Sequence, residues 1–598
     1  MPGSWSERGS VAVDAGDLQL AKQCFARAVK DECANGRHRF HLAVVLEGLG
    51  ELAAAARELT QALRLDPKRE EAARPLAALF RRPDFGASDH EQLNTMGLRH
   101  GLYHVRVDQK AIANVAVRVL VTGRHLREAL ATARSLGWLE AARRLCLTRS
   151  SAILKDELLL DVLRTSTLSS PELESLLTAI RRVLLLELAP TRFADHALMG
   201  FAVAMLQQCW INQFAWGVSE EEWRRLAQAP VRPDRLASGD FGERHRFLRN
   251  CLYAPVGRVL GGETAQDVMH GVAPHAPREV VDARLAIERD ERERAARMPL
   301  LGDIDGATSR KVARFYEESP YPRWSNVIVN RDYRATLGKF LGNERAAFLQ
   351  QPFEVLIAGC GTGQQVVQAA LHYGPNARIL ALDLSAASLG YAARMAHTFG
   401  VDNVEFARAD VEQIAGPGSQ FAARSRVIEA VGVLHHMAQP FAGWRALLKC
   451  LAPRGLMRIG LYSAIARRHL TALREDPAYP GPGSDDAALR AFRQRLLTRQ
   501  DGQALNARKY VDFWDAGSFR DMLLHVCEHR LELAQIQGFL EDERLAFCGF
   551  RLPKESQARF WQRFPFETWP GTLDNWARFE EENPHLFENM YLFWCEKT

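Results

Sequence analysis

The apolar positions of the first 82 residues repeat. Gly16, Leu18, Ala21, Phe25 and Ala28 recur as Gly50, Leu52, Ala55, Leu59 and Ala62, each about 34 residues later. Apolar residues three and four apart predict helices with one buried stripe. The glycines turn the chain between paired helices, and the alanines let the pair approach closely. Asp66-Pro67 ends the second pair, and Leu76–Phe80 matches Leu42–Leu46 as the start of a further unit. Such a short stack is predicted to lean on the region that follows it. From about 95 to 295 the helical spacing continues, through Val117–Leu163 and Leu173–Leu188. Phe201–Trp216 is almost continuously apolar, which predicts a buried helix whose Asn212 and Gln213 need polar partners. The charged run Glu288–Arg297 predicts a solvated helix or a linker.

After Asp305 short apolar runs alternate with helical patterns, the signature of a parallel α/β sheet. Val355–Ala358, Arg378–Leu382, Asn403–Ala407, Val427–Val431 and Leu456–Leu461 are the predicted strands. Gly359-Cys360-Gly361-Thr362-Gly363 follows the first strand directly, and a helical face begins at Val366. A strand, a glycine turn and a helix N-terminus present unpaired backbone N–H groups to a ligand, and the missing Cβ atoms let it come close. Asp383 ends the second strand, about 20 residues after the loop, where an acid reaches ribose hydroxyls. Asp410 follows the third strand, and Gly432-Val433-Leu434-His435-His436-Met437 follows the fourth. All of these fall at the carboxyl ends of the strands, where ligands of such sheets bind.

Composition narrows the picture. The 598 residues carry 77 basic and 72 acidic side chains, so a net charge of +5 gives no reason to expect a nucleic-acid partner. Ten cysteines without a CxxC pair fit reduced thiols, and no apolar run reaches the roughly 18 residues of a membrane span. A cytoplasmic protein without a membrane span is expected. His525-Val526-Cys527-Glu528-His529 spells an inverted zinc-protease pattern, but no third ligand stands out downstream. The expectation is the polar face of an amphipathic helix, and no metal.

The motif series resembles that of the class I methyltransferases, and the loop departs from the dinucleotide GxGxxG because the sixth position, residue 364, is Gln. The resemblance implies S-adenosylmethionine as cofactor. Gly359, Cys360, Gly361, Thr362 and Gly363 would hold the methionine part, Asp383 with Leu384 the ribose, and Asp410 with Val411 the adenine. Gly432 would border the cofactor after the fourth strand. Arg426 stands where the family usually has an acid, although Glu429 is near. The stretch Tyr316–Trp324, the histidine segment, Leu461-Tyr462-Ser463 and Met590–Trp594 extend the likeness to nearly the whole chain. They are similar to a bacterial family that joins tetratricopeptide repeats to such an enzyme, with a layout like that of rickettsial-type protein-lysine methyltransferases. The layout implied is multidomain: helical repeats at 1–82, a helical middle or regulatory domain at 95–300, an α/β Rossmann-like domain at 301–470, and a mostly helical C-terminal domain at 471–598.

A sulfonium methyl donor is already activated, so such a site must align the acceptor and exclude water. Tyr316, Tyr321 and Trp324 are candidates for a lid over the cofactor, or else an aromatic cluster that packs their segment onto the sheet. His435 and His436 follow the fourth strand beside the methyl group, one to touch substrate and one to brace the loop; His435 is the candidate named here. Tyr462 is the last catalytic candidate, set against a purely structural tyrosine. The expected function is methylation of protein side chains, at lysine, with the repeats recruiting the protein. A small-molecule, sugar or lipid-precursor acceptor is the alternative within the class, and a cofactor-binding scaffold without turnover is the alternative outside it.

Overall fold

The computed structural model describes residues 4–82, 84–90, 92–148, 151–261, 276–330, 332–414 and 419–598. Its first half is helical. Trp5–Asp14, Leu18–Asp31, Gly36–Gly48, Leu52–Leu65 and Glu70–Phe80 pack each against the next. Gly16 and Gly50 turn successive pairs with φ of +76° and +78°, a conformation costly for any residue with a Cβ. One apolar core runs without a break from Ala12 through Leu102 and Phe201 to Leu285. The repeat-like helices therefore share their interior with the helices after residue 95.

Seven strands form the sheet of the second half: β1 (Phe353–Ala358), β2 (Ala377–Asp383), β3 (Val404–Arg408), β4 (Ser425–Val431), β5 (Leu451–Leu461), β6 (Leu545–Phe550) and β7 (Tyr591–Lys597). Their order is β3-β2-β1-β4-β5-β7-β6. The first five are parallel, with Val355 of β1 level with Ile379 of β2 and Val427 of β4. β7 runs antiparallel between β5 and β6. Chain direction across the sheet switches between β1 and β4, which opens a crevice at their carboxyl ends. Each face of the sheet has its own apolar core, one with Trp444, Phe539 and Phe593, the other with Val355, Tyr373 and Trp594.

Two differences from the sequence expectation matter. The C-terminal region is not a mostly helical unit of its own, because β6 and β7 complete the sheet. A boundary at 470 would cut it. β7 pairs with β5 across more than 100 residues of sequence, as Leu456 with Glu596, beyond any local pattern. The helices between Arg468 and Leu524 instead form an insertion with a separate core that includes Phe492, Phe513 and Phe519. The charged run also behaves differently. It lies in the helix Ala276–Ala296, which packs along the helix Ala386–Thr398, where Glu291 pairs with Arg394 at 2.9 Å.

The helical half is tied to the insertion. Gln213 Nε2 donates to Asp515 Oδ1 at 3.0 Å and the Ala516 N–H donates to the Asn212 backbone carbonyl at 3.0 Å, whereas the Asn212 side-chain amide is buried without a partner among the described residues. Arg493 and Glu174, both buried, form a two-pronged ion pair at 2.7 and 2.8 Å. Among the described residues no helix is long and apolar enough to cross a membrane.

Candidate active site

A cavity of about 350 Å³ lies over the carboxyl ends of β1, β2 and β4. The glycine loop forms its floor. Gly359, Gly361 and Gly363 all take left-handed φ, at +61°, +52° and +80°. A Cβ on Gly359 would stand 2.3 Å from Val433 Cγ2, and one on Gly363 would stand 2.6 Å from the Ala392 Cβ. The loop is thus wedged between the β4 loop and the following helix. Asp383 holds it from below, accepting from the Gly361 N–H at 2.8 Å and from the Ser385 N–H at 2.9 Å. Burial pushes the Asp383 carboxyl up, opposed by those backbone hydrogen bonds. Gly359, Cys360, Gly361, Asp383, Leu384, Asp410, Val411 and Gly432 all line the cavity.

Thr362 and Gly363 do not. Thr362 is fully buried and its hydroxyl donates to the Pro322 carbonyl, while Gly363 packs on Ala392. The turn that offers one side of the loop to a ligand sends the other into the protein. Trp324 is likewise corrected. It lies behind the loop, buried against Tyr391 and Phe399, and its Nε1 donates to the Thr362 carbonyl at 3.0 Å. It braces the loop and contacts no ligand space.

One end of the cavity is aromatic. Tyr316, Tyr321 and Tyr462 line it, together with His436 and Asp521. The histidine assignment changes: His436 faces the cavity, whereas His435 is fully buried with its ring stacked on Tyr462 at 3.8 Å. In the short turn Leu434–His436 the His436 ring reaches the cavity while the His435 ring lies 4.3 Å from it, fully buried. Burial lowers the His436 pKa to about 4, against the raising effect of its bond to the Cys527 carbonyl. Glu429 is no ligand contact either. It accepts from Gln365, Tyr373 and Arg458 inside the sheet, below the cavity.

Asp521 carries no sequence motif. It comes from the helix Ala516–Leu524 of the insertion and accepts from the Tyr316 hydroxyl at 2.6 Å. No pattern around it marks it, since the insertion reaches the site only through tertiary packing. The histidine–acid pattern at 525–529 is not helical: the helix ends at Leu524. Glu528 pairs with Arg474 at 2.9 Å and Arg467 at 3.2 Å, and the His529 N–H donates to the His435 carbonyl at 2.8 Å. His525 alone turns inward, joining His436 and Asp521 in a group whose nitrogen and oxygen atoms lie within 4.8 Å of one another.

Replacing Asp383 with alanine is expected to weaken S-adenosylhomocysteine binding by on the order of 1–3 kcal/mol, the range for lost charged hydrogen bonds. The Gly361 and Ser385 N–H groups would lose their acceptor as well. Isothermal calorimetry reads the change, and an unaltered affinity would count against a ribose contact.

Comparison with known proteins agrees with the loop geometry. Residues 355–455 match the family model described as a methyltransferase domain. An uncharacterized protein of Synechococcus sp. is 31% identical over 217 residues, covering 34% of this chain and 50% of its own length. PKMT2 from Rickettsia typhi is structurally similar, at 15% identity and a TM-score of 0.32, over 45% of this chain and 52% of that one. The geranyl diphosphate C-methyltransferase from Streptomyces coelicolor A3(2) gives 14% identity and a TM-score of 0.27, over 50% of this chain and 100% of that one. The chain thus spans about half the length of the Synechococcus and Rickettsia proteins.

Proposed function

We propose that this protein, which carries a class I S-adenosylmethionine-dependent methyltransferase domain, transfers the methyl group to protein side chains, at lysine nitrogen. The observation that carries the reading is the aromatic end of the cavity, where three tyrosines and a buried carboxylate adjoin the cofactor loop. Gly359, Gly361 and Asp383 would hold the cofactor, whose sulfonium supplies the activated methyl. This chain's residues would then position the acceptor: aromatic walls exclude water and favour the neutral, nucleophilic amine, whose ordinary pKa is about 10.4. Tyr316 and Tyr321, on the segment before the sheet, close that end over the floor. PKMT2 from Rickettsia typhi is one of the proteins this chain resembles.

The N-terminal helices read as tetratricopeptide-like units that recruit the protein substrate. Their 34-residue spacing and hairpin packing support this. A cytoplasmic setting belongs to the same reading, in keeping with ten free cysteines.

The test is methyl transfer from labelled cofactor by the full chain in a cell lysate, followed by gel separation and mass spectrometry. Discrete protein bands carrying methyl-lysine are expected. Label confined to small molecules, or to carboxylates and hydroxyls, would overturn the lysine assignment. No label in any fraction would favour a scaffold that binds cofactor without turnover.

A further inference from the structure

At the aromatic end of the cavity the polar atoms are unevenly matched. Asp521 is 3% exposed, and its Tyr316 bond occupies one oxygen. Among the described residues no lysine or arginine forms an ion pair with it. His436 Nδ1 lies 2.8 Å from the Cys527 carbonyl, which fixes its proton on that nitrogen and leaves Nε2 as an acceptor. His525 is the reverse. Its Nδ1 accepts from the Cys527 N–H at 3.0 Å, so the proton sits on Nε2, which is buried without a partner. One backbone residue therefore sets both tautomers in opposite senses. A metal cage of the three side chains would need a free lone pair on His525 Nε2, and the Cys527 N–H opposes that. What remains is two acceptors, one of them a carboxylate, facing a space walled by tyrosine rings. That arrangement suits a cation with N–H groups to donate.

We propose that Asp521 and His436 Nε2 form the acceptor site for a primary ammonium group, and that Asp521 takes its proton. This rests on the methyltransferase reading above. The ammonium N–H bond breaks, its proton passes to the Asp521 carboxylate, and the electron pair stays on nitrogen. That lone pair then forms a bond to the methyl carbon, while the carbon–sulfur bond breaks with its pair going to sulfur. The products are a methylated ammonium and S-adenosylhomocysteine. The side chains of Tyr316, Tyr321 and Tyr462 line the same space. Burial raises the Asp521 carboxyl to about 6 against the lowering effects of Tyr316 and Arg467, with Glu528 and Asp515 adding to the rise. A carboxylate of that basicity is a better proton acceptor than an ordinary aspartate.

The probes are N-acetyl-lysine amide and its uncharged counterpart N-acetyl-norleucine amide, titrated calorimetrically into the full-length protein saturated with S-adenosylhomocysteine. The lysine amide is expected to bind and the norleucine amide to bind at least roughly tenfold more weakly, as the loss of charged hydrogen bonds implies. Asp521→Asn should weaken the lysine amide by a similar factor, with S-adenosylhomocysteine affinity kept. Asparagine still accepts from Tyr316, so a purely structural role would leave lysine-amide binding intact. His436→Phe keeps a ring 3.7 Å from that of His525 and removes the Nε2 acceptor together with the Nδ1 bond to the Cys527 carbonyl, so it should weaken the lysine amide several-fold. The folded state holds the Asp521 proton to higher pH than the unfolded chain, so the cost of its buried charge is present above about 6 and is relieved as pH falls towards the ordinary carboxylate value. At pH 8 Asp521→Asn should therefore melt no lower than the natural protein. Equal binding of both amides, no binding of the lysine amide, or unchanged lysine-amide affinity in both variants overturns the proposal. Absence of S-adenosylhomocysteine binding would overturn the methyltransferase reading together with it.

Discussion

Glu174→Ala should lower the stability of the protein by about 3–5 kcal/mol, the cost of leaving one charge of a buried pair without its partner. Glu174 lies in the helix Pro171–Leu186 of the helical half, and Arg493 lies in the helix Asp486–Thr498 of the insertion. Both are almost inaccessible, at 1% and 0%. The guanidinium meets both carboxylate oxygens, donates from Nε to the Phe513 carbonyl at 2.6 Å, and lies 4.8 Å from the Phe513 ring. Asp515 lies within electrostatic reach of the guanidinium, but among the described residues only Glu174 forms an ion pair with it. Removing the carboxylate leaves a cation in an apolar setting and unpins the insertion that carries Asp521. The measurement is thermal and urea unfolding, followed as the first resolved transition because a chain of several cores need not unfold in one step. Glu174→Leu with Arg493→Met should recover most of the loss, since an apolar pair removes both desolvated charges. A shift of less than about 1 kcal/mol in the single variant would show that the pair is not the clasp described.

Gly361→Val should abolish detectable S-adenosylhomocysteine binding while leaving most of the fold in place. Gly361 has φ of +52°, a conformation that a β-branched residue adopts only under strain of about 1–3 kcal/mol. A Cβ there would stand 2.9 Å from the Tyr321 carbonyl oxygen, so the loop or the Tyr321 segment must move. Movement breaks the bond from the Gly361 N–H to Asp383 and puts methyl groups into the cavity floor. Gly363→Ala provides the contrast. Its Cβ would meet Ala392 at 2.6 Å, inside the protein, so it should lower the melting temperature more than it alters the ligand surface. Calorimetry and far-ultraviolet dichroism separate the two. Valine at 361 with unaltered cofactor affinity would exclude the loop as the binding floor.

The cofactor side of the site was legible because its signals are local. A strand, a glycine turn and a helix start occupy 21 consecutive residues from Phe353 to Tyr373, and Asp383 ends the next strand. The acceptor side was legible only in part. Tyr316, Tyr321 and Tyr462 line the cavity, but Trp324 turns inward because its indole finds an apolar wall and a backbone carbonyl. His436 rather than His435 reaches the cavity from their shared short turn.

By itself the sequence determined the helical first half, five parallel strands, the glycine loop and the acids that follow β2 and β3. Each of these depends on periodicity or on residues that φ and hydrogen bonding demand at one place. Tertiary structure alone decided that β6 and β7 close the sheet, that Glu174 clasps Arg493 across 319 residues, and that Asp521 reaches the cavity beside Tyr316. The reason is the same in each case. A strand edge, a buried charge or a lone carboxylate is satisfied by whichever partner packing brings to it, and no spacing along the chain records that partner.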